Sequence, residues 1–445
     1  ESARRIAMGD AKRTAQKSTA TGLLGKLRVF LKTLGPGLIT GASDDDPSGI
    51  GTYAQTGALF GFAQLWTALI TLPMMIAIQE ACARIALQTG AGLAENLRRH
   101  YARPILFGCV VLLFVANVFN IGADLGAMAA SARMLVGLPF SVWLIFMALL
   151  SVTLQVFVSY RQYAQVLRYL TLTLFTYILV AFVVHLNWKQ ALHDTVIPTM
   201  YLTKDYWLNL VAILGTTISP YLFFWQANQE VEERVRKAAM GGTPPDNAGA
   251  TRAELRWMRS DVVTGMLFSN VVTWFIIATT ASTLFRLGIT HIDSAVEAAQ
   301  VLQPLAGVYA YLLFAVGIIG TGLLVVPILA GSAAYAIAEA FRWREGLYLT
   351  LRQAPGFYGV IILAMLIGAA INMLGINPIR ALYYSAALNG IIAPPLLVMI
   401  MLIASNRSIM RQRVNGSLSN IVGWLTTLAM TLAALALLAS LFWTN

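Results

Sequence analysis

Three consecutive aspartates, Asp44, Asp45 and Asp46, followed at once by Pro47, stand in the middle of an otherwise apolar stretch, LGPGLITGASDDDPSGIGTYAQTGALF, from Leu34 to Phe60. At roughly 1.5 Å per residue that stretch is about as long as a hydrocarbon core is thick, so the acids fall near mid-depth. Each costs about 2.5–3.5 kcal/mol there on insertion scales, a cost tolerated where the acid faces water, a cation or a partner. Pro47 removes a backbone donor and turns Asp46 away from helical geometry, while Ser48, Gly49 and Gly51 weaken the helix beyond it. A helix broken at mid-membrane is expected. Non-helical backbone at that depth lines a cavity or is buried in protein, and with acids it has the pattern of a transporter's binding site. The plainer alternative is a kinked helix whose acids pair with bases, but the apolar spans offer almost no Lys or Arg.

The composition of the 445 residues agrees with a membrane protein. Hydrophobic residues make up 58 %, charged residues 11 % and mean hydropathy is +0.69, against about 25 % charged residues in a soluble domain. Eleven spans are read, which puts the termini on opposite sides. The net charge of +11 does not indicate nucleic acid, because it is one-sided. All but five of the 31 Lys and Arg lie on the N-terminal side, and the exceptions are Arg133, Lys189, Lys204, Arg286 and Arg380. The positive-inside rule then makes the N-terminus cytoplasmic and the C-terminus external, in a multi-pass cell membrane protein. Residues 1–33 read as a basic cytoplasmic tail without a signal-peptide core. The opening Glu1, in place of Met, implies a missing native start. Cys82 and Cys109 fall in spans as apolar filler, with no disulfide or CxxC metal framework.

Further apolar spans have to hold those acids in place. The second span is expected over about Leu65–Leu87 and the third over about Ile105–Met128. In the third, Asn117, Asn120 and Asp124 at i, i+3, i+7 share one inward face, either on the substrate pathway or as polar glue between helices. Spans four (about Phe140–Val158) and five (about Tyr169–Leu186) carry little chemistry, and 187–207 reads as an outer loop. The sixth span, from about Leu208, is interrupted by Gly215, Thr216, Thr217, Ser219 and Pro220. Two interrupted spans, each first of five, are the mark of an inverted repeat with its site at the repeat interface. Residues 34–187 would form the first half, 208–404 the inverted second, and 421–443 an eleventh helix. The charged stretch 230–261, with GGTPPDNAGA, reads as a flexible connector. Further spans are expected over about Val262–Phe285, Gly307–Ala338, Phe357–Met373 and Arg380–Ala404. In the last, Ser385 and Asn389, at i, i+4, can face a cavity.

The motifs GPGLITGASDDDPSGIGTYAQTGA, QEACARIALQTGAGLAENLRRHY, ADLGA and TTISPY together resemble the Nramp family of divalent-metal transporters over most of the chain. The resemblance implies an all-α, LeuT-type fold of two inverted five-helix repeats plus an eleventh helix. It also implies a metal site joining an Asp-Pro-Gly-Asn motif in the first span to an Ala-x-x-Met-Pro-His motif in the sixth. Position by position, Asp46 matches the aspartate, Ser48 the glycine, Gly49 the asparagine, Thr216 the alanine, Ser219 the methionine and Tyr221 the histidine. Replacing a thioether by a hydroxyl removes a soft ligand that favours transition metals. Losing the asparagine opens space for Mg2+, which keeps several waters. The pattern is most similar to the Nramp-related magnesium transporter branch, with Mn2+ as a further substrate. The implied metal residues are Asp46, Ser48, Gly49, Thr216 and Ser219, with Asp44, Asp45, Asn120, Asp124, Tyr221, Gln226, Ser385 and Asn389 along the pathway.

The family's third-span aspartate is kept at Asp124, but its glutamate position is Ala127, and both sixth-span histidines are replaced, by Tyr221 and Gln226. His100, His185, His193 and His291 lie in loops or near span ends, so potential-driven uptake without protons is expected. Asn117 and Asn120 are expected to hold Asp124 charged by hydrogen bonds. Asp44 and Asp45 are expected to diverge from Asp46, since successive helical residues differ by about 100°. The expected partners are a divalent metal ion and the lipid bilayer, with no nucleic acid, no obligate protein partner and no cofactor beyond the transported ion. No nucleophile–base pair points to an enzyme. The alternative on the same fold is an ion-coupled symporter of a small organic solute such as an amino acid, against which the Asp44–Asp46 cluster would repel a carboxylate.

Overall fold

The structure, a computed structural model, describes residues 35–158, 171–239 and 249–440, without the side chains of 171, 172 and 237–239. The basic tail, the start of the fifth span, most of the Gly-Pro connector and the last residues of the eleventh span lie outside them. Every described regular element is a helix.

The first span is two helices, α1 (Pro36–Asp44) and α2 (Pro47–Phe60). Asp45 ends α1, and extended Asp46 (φ −70°, ψ 171°) is the N-cap of α2. Pro47 sits at the first helical position, where its missing N–H costs nothing. Next come α3 (Trp66–Thr89), short α4 (Leu93–His100), α5 (Arg103–Leu135) and α6 (Phe140–Phe157). The described part of the fifth span ends in α7 (Phe175–Val183). The expected outer loop contains a helix, α8 (Trp188–Val196), whose N-cap Asn187 side chain accepts from the Gln190 N–H. It is too short to register as a span.

The sixth span is again two helices, α9 (Lys204–Thr217) and α10 (Pro220–Ala239), parted at Ile218 and Ser219. Then come α11 (Arg252–Ser282), several single turns, α12 (Ala310–Phe341), α13 (Pro355–Ile371), α14 (Pro378–Ser405) and α15 (Ser417–Ser440). α11 starts ten residues before the expected span because a Thr251/Glu254 capping box opens it in the charged loop,. Among the described residues nine stretches are long and apolar enough to span a bilayer. The split first span and the partly described fifth account for the other two of the eleven expected.

Burial separates centre from rim. The sixth span has 89 % of its most apolar window buried, against 22 % for α6 and 39 % for α15. Leu425, Leu428, Leu432 and Leu435 of α15 are exposed, as suits lipid-facing positions and not a soluble surface. Around the breaks, small residues let backbones touch. A Cβ on Gly41 would meet the Gly265 carbonyl oxygen at 2.2 Å, and one on Gly215 the Ala386 oxygen at 2.1 Å. These glycines weld α1 to α11 and α9 to α14. Cys82 and Cys109 are buried free thiols.

Candidate metal-ion site

The two breaks meet, and the chemistry sits where they do. A helix C-terminus leaves carbonyls without partners and carries partial negative charge, so the ends of α1 and α9 favour a cation. Asp46 stands between them. Its Oδ1 accepts the Gly49 N–H at 2.5 Å and the Ser48 hydroxyl at 2.8 Å, and its Oδ2 accepts the Tyr221 hydroxyl at 3.1 Å. The same Tyr221 oxygen lies 3.0 Å from the Ser43 carbonyl oxygen near the end of α1. The carboxylate is therefore held in one orientation, with both lone pairs of Oδ1 engaged and one left on Oδ2,.

The room beside it is set by what Gly49 lacks. A Cβ there would lie 3.1 Å from the Asp44 carbonyl oxygen, 3.2 Å from Asp46 Oδ1 and 3.2 Å from Thr216 Oγ1. The Thr216 hydroxyl is buried without a hydrogen-bond partner. Three oxygens from both breaks thus face one small space, and one of them is an orphan needing a ligand or water. Among the described residues no three His, Cys, Asp or Glu side chains are grouped as a metal cage. Asp44, Asp45, Asp46, Ser48, Thr216, Ser219, Tyr221 and Asp124 are all at most 1 % exposed, so the site is occluded from both faces. On one side, Gln55 bonds the Thr290 carbonyl and the Ile292 N–H, both at 2.9 Å. On the other, Asp261 of α11 accepts the N–H groups of Gly35, Gly37 and Leu38 at 2.9, 2.7 and 3.2 Å, closing the start of α1.

The structure thus brings together Asp46, Ser48, Gly49, Thr216, Tyr221 and Asp124, the last within electrostatic reach of Asp46. Ser219 lies in the α9–α10 break, but its hydroxyl turns back on α9, donating toward the Gly215 and Thr216 carbonyls at 3.0 and 2.6 Å. Only its lone pairs remain for an ion.

One expectation is corrected, and the partners of the other expected residues are these. Asn117 and Asn120 do not hold Asp124. Asn117 donates to the Leu329 carbonyl (2.9 Å) and lies 3.3 Å from Ser332, while Asn120 exchanges hydrogen bonds with Asn389 at 2.8 and 3.2 Å. No side chain bonds either oxygen of Asp124, which lies within reach of the Ser48 backbone N–H. Asn120 and Asn389 tie α5 to α14, as the polar-glue alternative has it, and Ser385 donates its hydroxyl to the Leu382 carbonyl. Gln226 is likewise engaged, accepting from Thr40 at 2.5 Å and donating to Glu230 at 2.9 Å. Asp44 and Asp45 both meet one hydroxyl, Ser269 Oγ, at 2.6 and 3.3 Å, whereas Asp46 meets Ser48 and Tyr221, so the two acids have different partners from Asp46.

The sequence reading missed Asp261, Ser269 and Gln55, since pairings 224 to 237 residues apart leave no local signal. It also missed Glu345. Outside the spans, burial and the neighbouring Glu339, Glu95 and Glu232 push its carboxyl up to about 10.

Residues 37–440 match the family model described as natural resistance-associated macrophage protein-like, Nramp. The divalent metal cation transporter MntH of Klebsiella pneumoniae (strain 342) is 26 % identical over 405 residues, covering 89 % of this chain and 91 % of that protein. A manganese transporter of Eremococcus coleocola superposes with a TM-score of 0.72 at 18 % identity, over 94 % of this chain and 89 % of that one. Mhp1, a nucleobase-cation-symport-1 family transporter, superposes at 0.53 and 14 % identity, over 92 % and 93 % of the two chains. These neighbours share the LeuT-type arrangement of inverted five-helix repeats expected from the broken spans.

Proposed function

The chain belongs to the Nramp family, and on that premise we propose that it takes up divalent metal cations, Mg2+ and also Mn2+, as partly hydrated ions by alternating access. The observation that carries this reading is the space at Gly49, faced by the Asp44 carbonyl, Asp46 Oδ1 and the orphan Thr216 hydroxyl. Its donors are all oxygen, with one carboxylate, and no side chain at Gly49 comes between them. Mg2+ is bound in that manner, through one or two carboxylates and retained waters. A sulfur ligand, which would favour a softer ion, is absent where the resemblance places one, at Ser219. An organic solute would need more room than one side chain's volume and would bring its own carboxylate against Asp46.

Asp46 anchors the ion, Tyr221 and the α2 N-terminus fix the carboxylate, and the α1 end supplies a carbonyl. Inward access requires α1 to leave Asp261 and Gln226, and outward access requires the outer segment to leave Gln55. The driving force is the membrane potential, worth about 2.3 kcal/mol per charge per 100 mV and about twice that for a divalent ion. A proton route is not supported. Ala127 carries no acid, both ends of Gln226 are bonded, and all four histidines are exposed. The one-sided basic charge supports a cytoplasmic N-terminus in the cell membrane. The test is initial uptake in proteoliposomes with Mg2+, Mn2+ and Ca2+ compared. Saturable Mg2+ uptake is expected, and uptake of Mn2+ that Mg2+ neither matches nor competes with would refute the selectivity.

A further inference from the structure

We propose that Asp44 and Asp45 form a second divalent-cation site, on the α11 side of the break. It rests on the reading of Asp46 as the transport ligand only in being called second. Ser269 Oγ is 2.6 Å from Asp44 Oδ2 and 3.3 Å from Asp45 Oδ1, and a hydroxyl has a single proton to give. Asp44 Oδ1 and Asp45 Oδ2 have no partner at all. Two further hydroxyls stand at the same place. Tyr53 of α2 is within electrostatic reach of both acids and beside Thr273, which lies four residues after Ser269 on the same face of α11,. Tyr53 and Thr273 are 0 % and 1 % exposed, and beyond each other their hydroxyls have no hydrogen-bond partner. Five side-chain groups from α1 with its terminal Asp45, α2 and α11 therefore gather oxygen atoms in a place water does not reach, with Asp44 Oδ1 and Asp45 Oδ2 unsatisfied. Native interiors rarely leave such atoms without a ligand.

The chemistry of the occupant is set by charge and donor type. The groups acting on the two carboxyls are each other, Asp46 and Ser269, with no Lys, Arg or His among them. A divalent cation neutralises two carboxylates, whereas a monovalent one leaves a net negative charge in a low dielectric. An all-oxygen set selects a hard ion. Across the break, Asp46 is left for the transported ion, with Asp124 within its electrostatic reach. An ion at Asp44 and Asp45 would tie the unwound turn to α11 while Asp46 holds the transported one.

The test counts ions on the intact protein in detergent, with Mn2+ as a paramagnetic probe and Mg2+ as competitor. Two Mn2+ per chain are expected at saturation, falling to one in the Asp44→Asn/Asp45→Asn double variant. Tyr53→Phe, which removes one neutral oxygen, should keep two ions with one bound about tenfold more weakly, and it decides the matter if the double variant does not fold. One Mn2+ in the wild type, two in the folded double variant, or a wild-type titration in Tyr53→Phe overturns the proposal. Asp46→Asn retaining both ions would instead remove the transport reading and leave this site standing.

Discussion

Gly49→Ala is the sharpest probe of the transport position. Gly49 lies inside α2 without a positive φ, so alanine adds no backbone strain and raises helix propensity by up to about 1 kcal/mol. The new methyl would sit 3.1–3.2 Å from the Asp44 carbonyl, Asp46 Oδ1 and Thr216 Oγ1, pressing on the oxygens assigned to the ion and its waters, so the variant's melting curve is read beside its affinity. It can donate to none of the three, and leaving one buried polar group unpaired costs about 1–3 kcal/mol. With one group fully deprived, Mg2+ affinity should fall roughly tenfold to a hundredfold. Calorimetric titration of purified protein with Mg2+ reads this directly. Gly51→Ala is the control, since its Cβ would meet only the Leu382 side chain. Undiminished Mg2+ affinity in folded Gly49→Ala would refute the hydrated-ion geometry.

The same contacts set three further outcomes. Ser219→Met should shift uptake toward Mn2+ or Cd2+ at the expense of Mg2+, and an unchanged preference would show that residue 219 does not face the ion. Asp261→Asn, which weakens the charged acceptor of three N–H groups at the start of α1, should cost about 1–2 kcal/mol and lower the melting temperature. An unchanged melting curve would argue that this closure is not held there. A double-mutant cycle of Asn120→Ala and Asn389→Ala should return a coupling near about 0.6 kcal/mol, and zero coupling would remove the α5–α14 bond as a structural tie.

The parts of this architecture that were legible in sequence are those written in local pattern. Apolar runs located the spans, and Pro47 and Pro220 in mid-run located both breaks, because proline acts on its own backbone whatever surrounds it. Periodicity put Asn117, Asn120 and Asp124 on one buried face. It could not say what they meet there, since the partners of the two asparagines lie on α12 and α14, more than 200 residues away. That is why Asp124 was expected to be held by the two asparagines and is held by neither. Spacing separated Asp44 and Asp45 from Asp46 but could not name Ser269, 225 residues from Asp44, as the group they meet. The α8 helix escaped notice because it is short and polar enough to fall between hydropathy windows. Gly49 was read as lost ligand and gained room, and the structure adds which three oxygens face that room.

The central claim is that a divalent cation crosses at Asp46, driven by voltage alone. Proteoliposomes containing a pH-sensitive dye, with Mg2+ outside and an inside-negative potassium diffusion potential, test it in one measurement on wild type and Asp46→Ala. The account predicts Mg2+ influx that rises with the imposed potential, unmoved internal pH, and no influx above protein-free vesicles in the variant. Wild-type influx in Asp46→Ala would contradict it, as would Mg2+-dependent acidification that persists under voltage clamp and vanishes in Asp124→Asn.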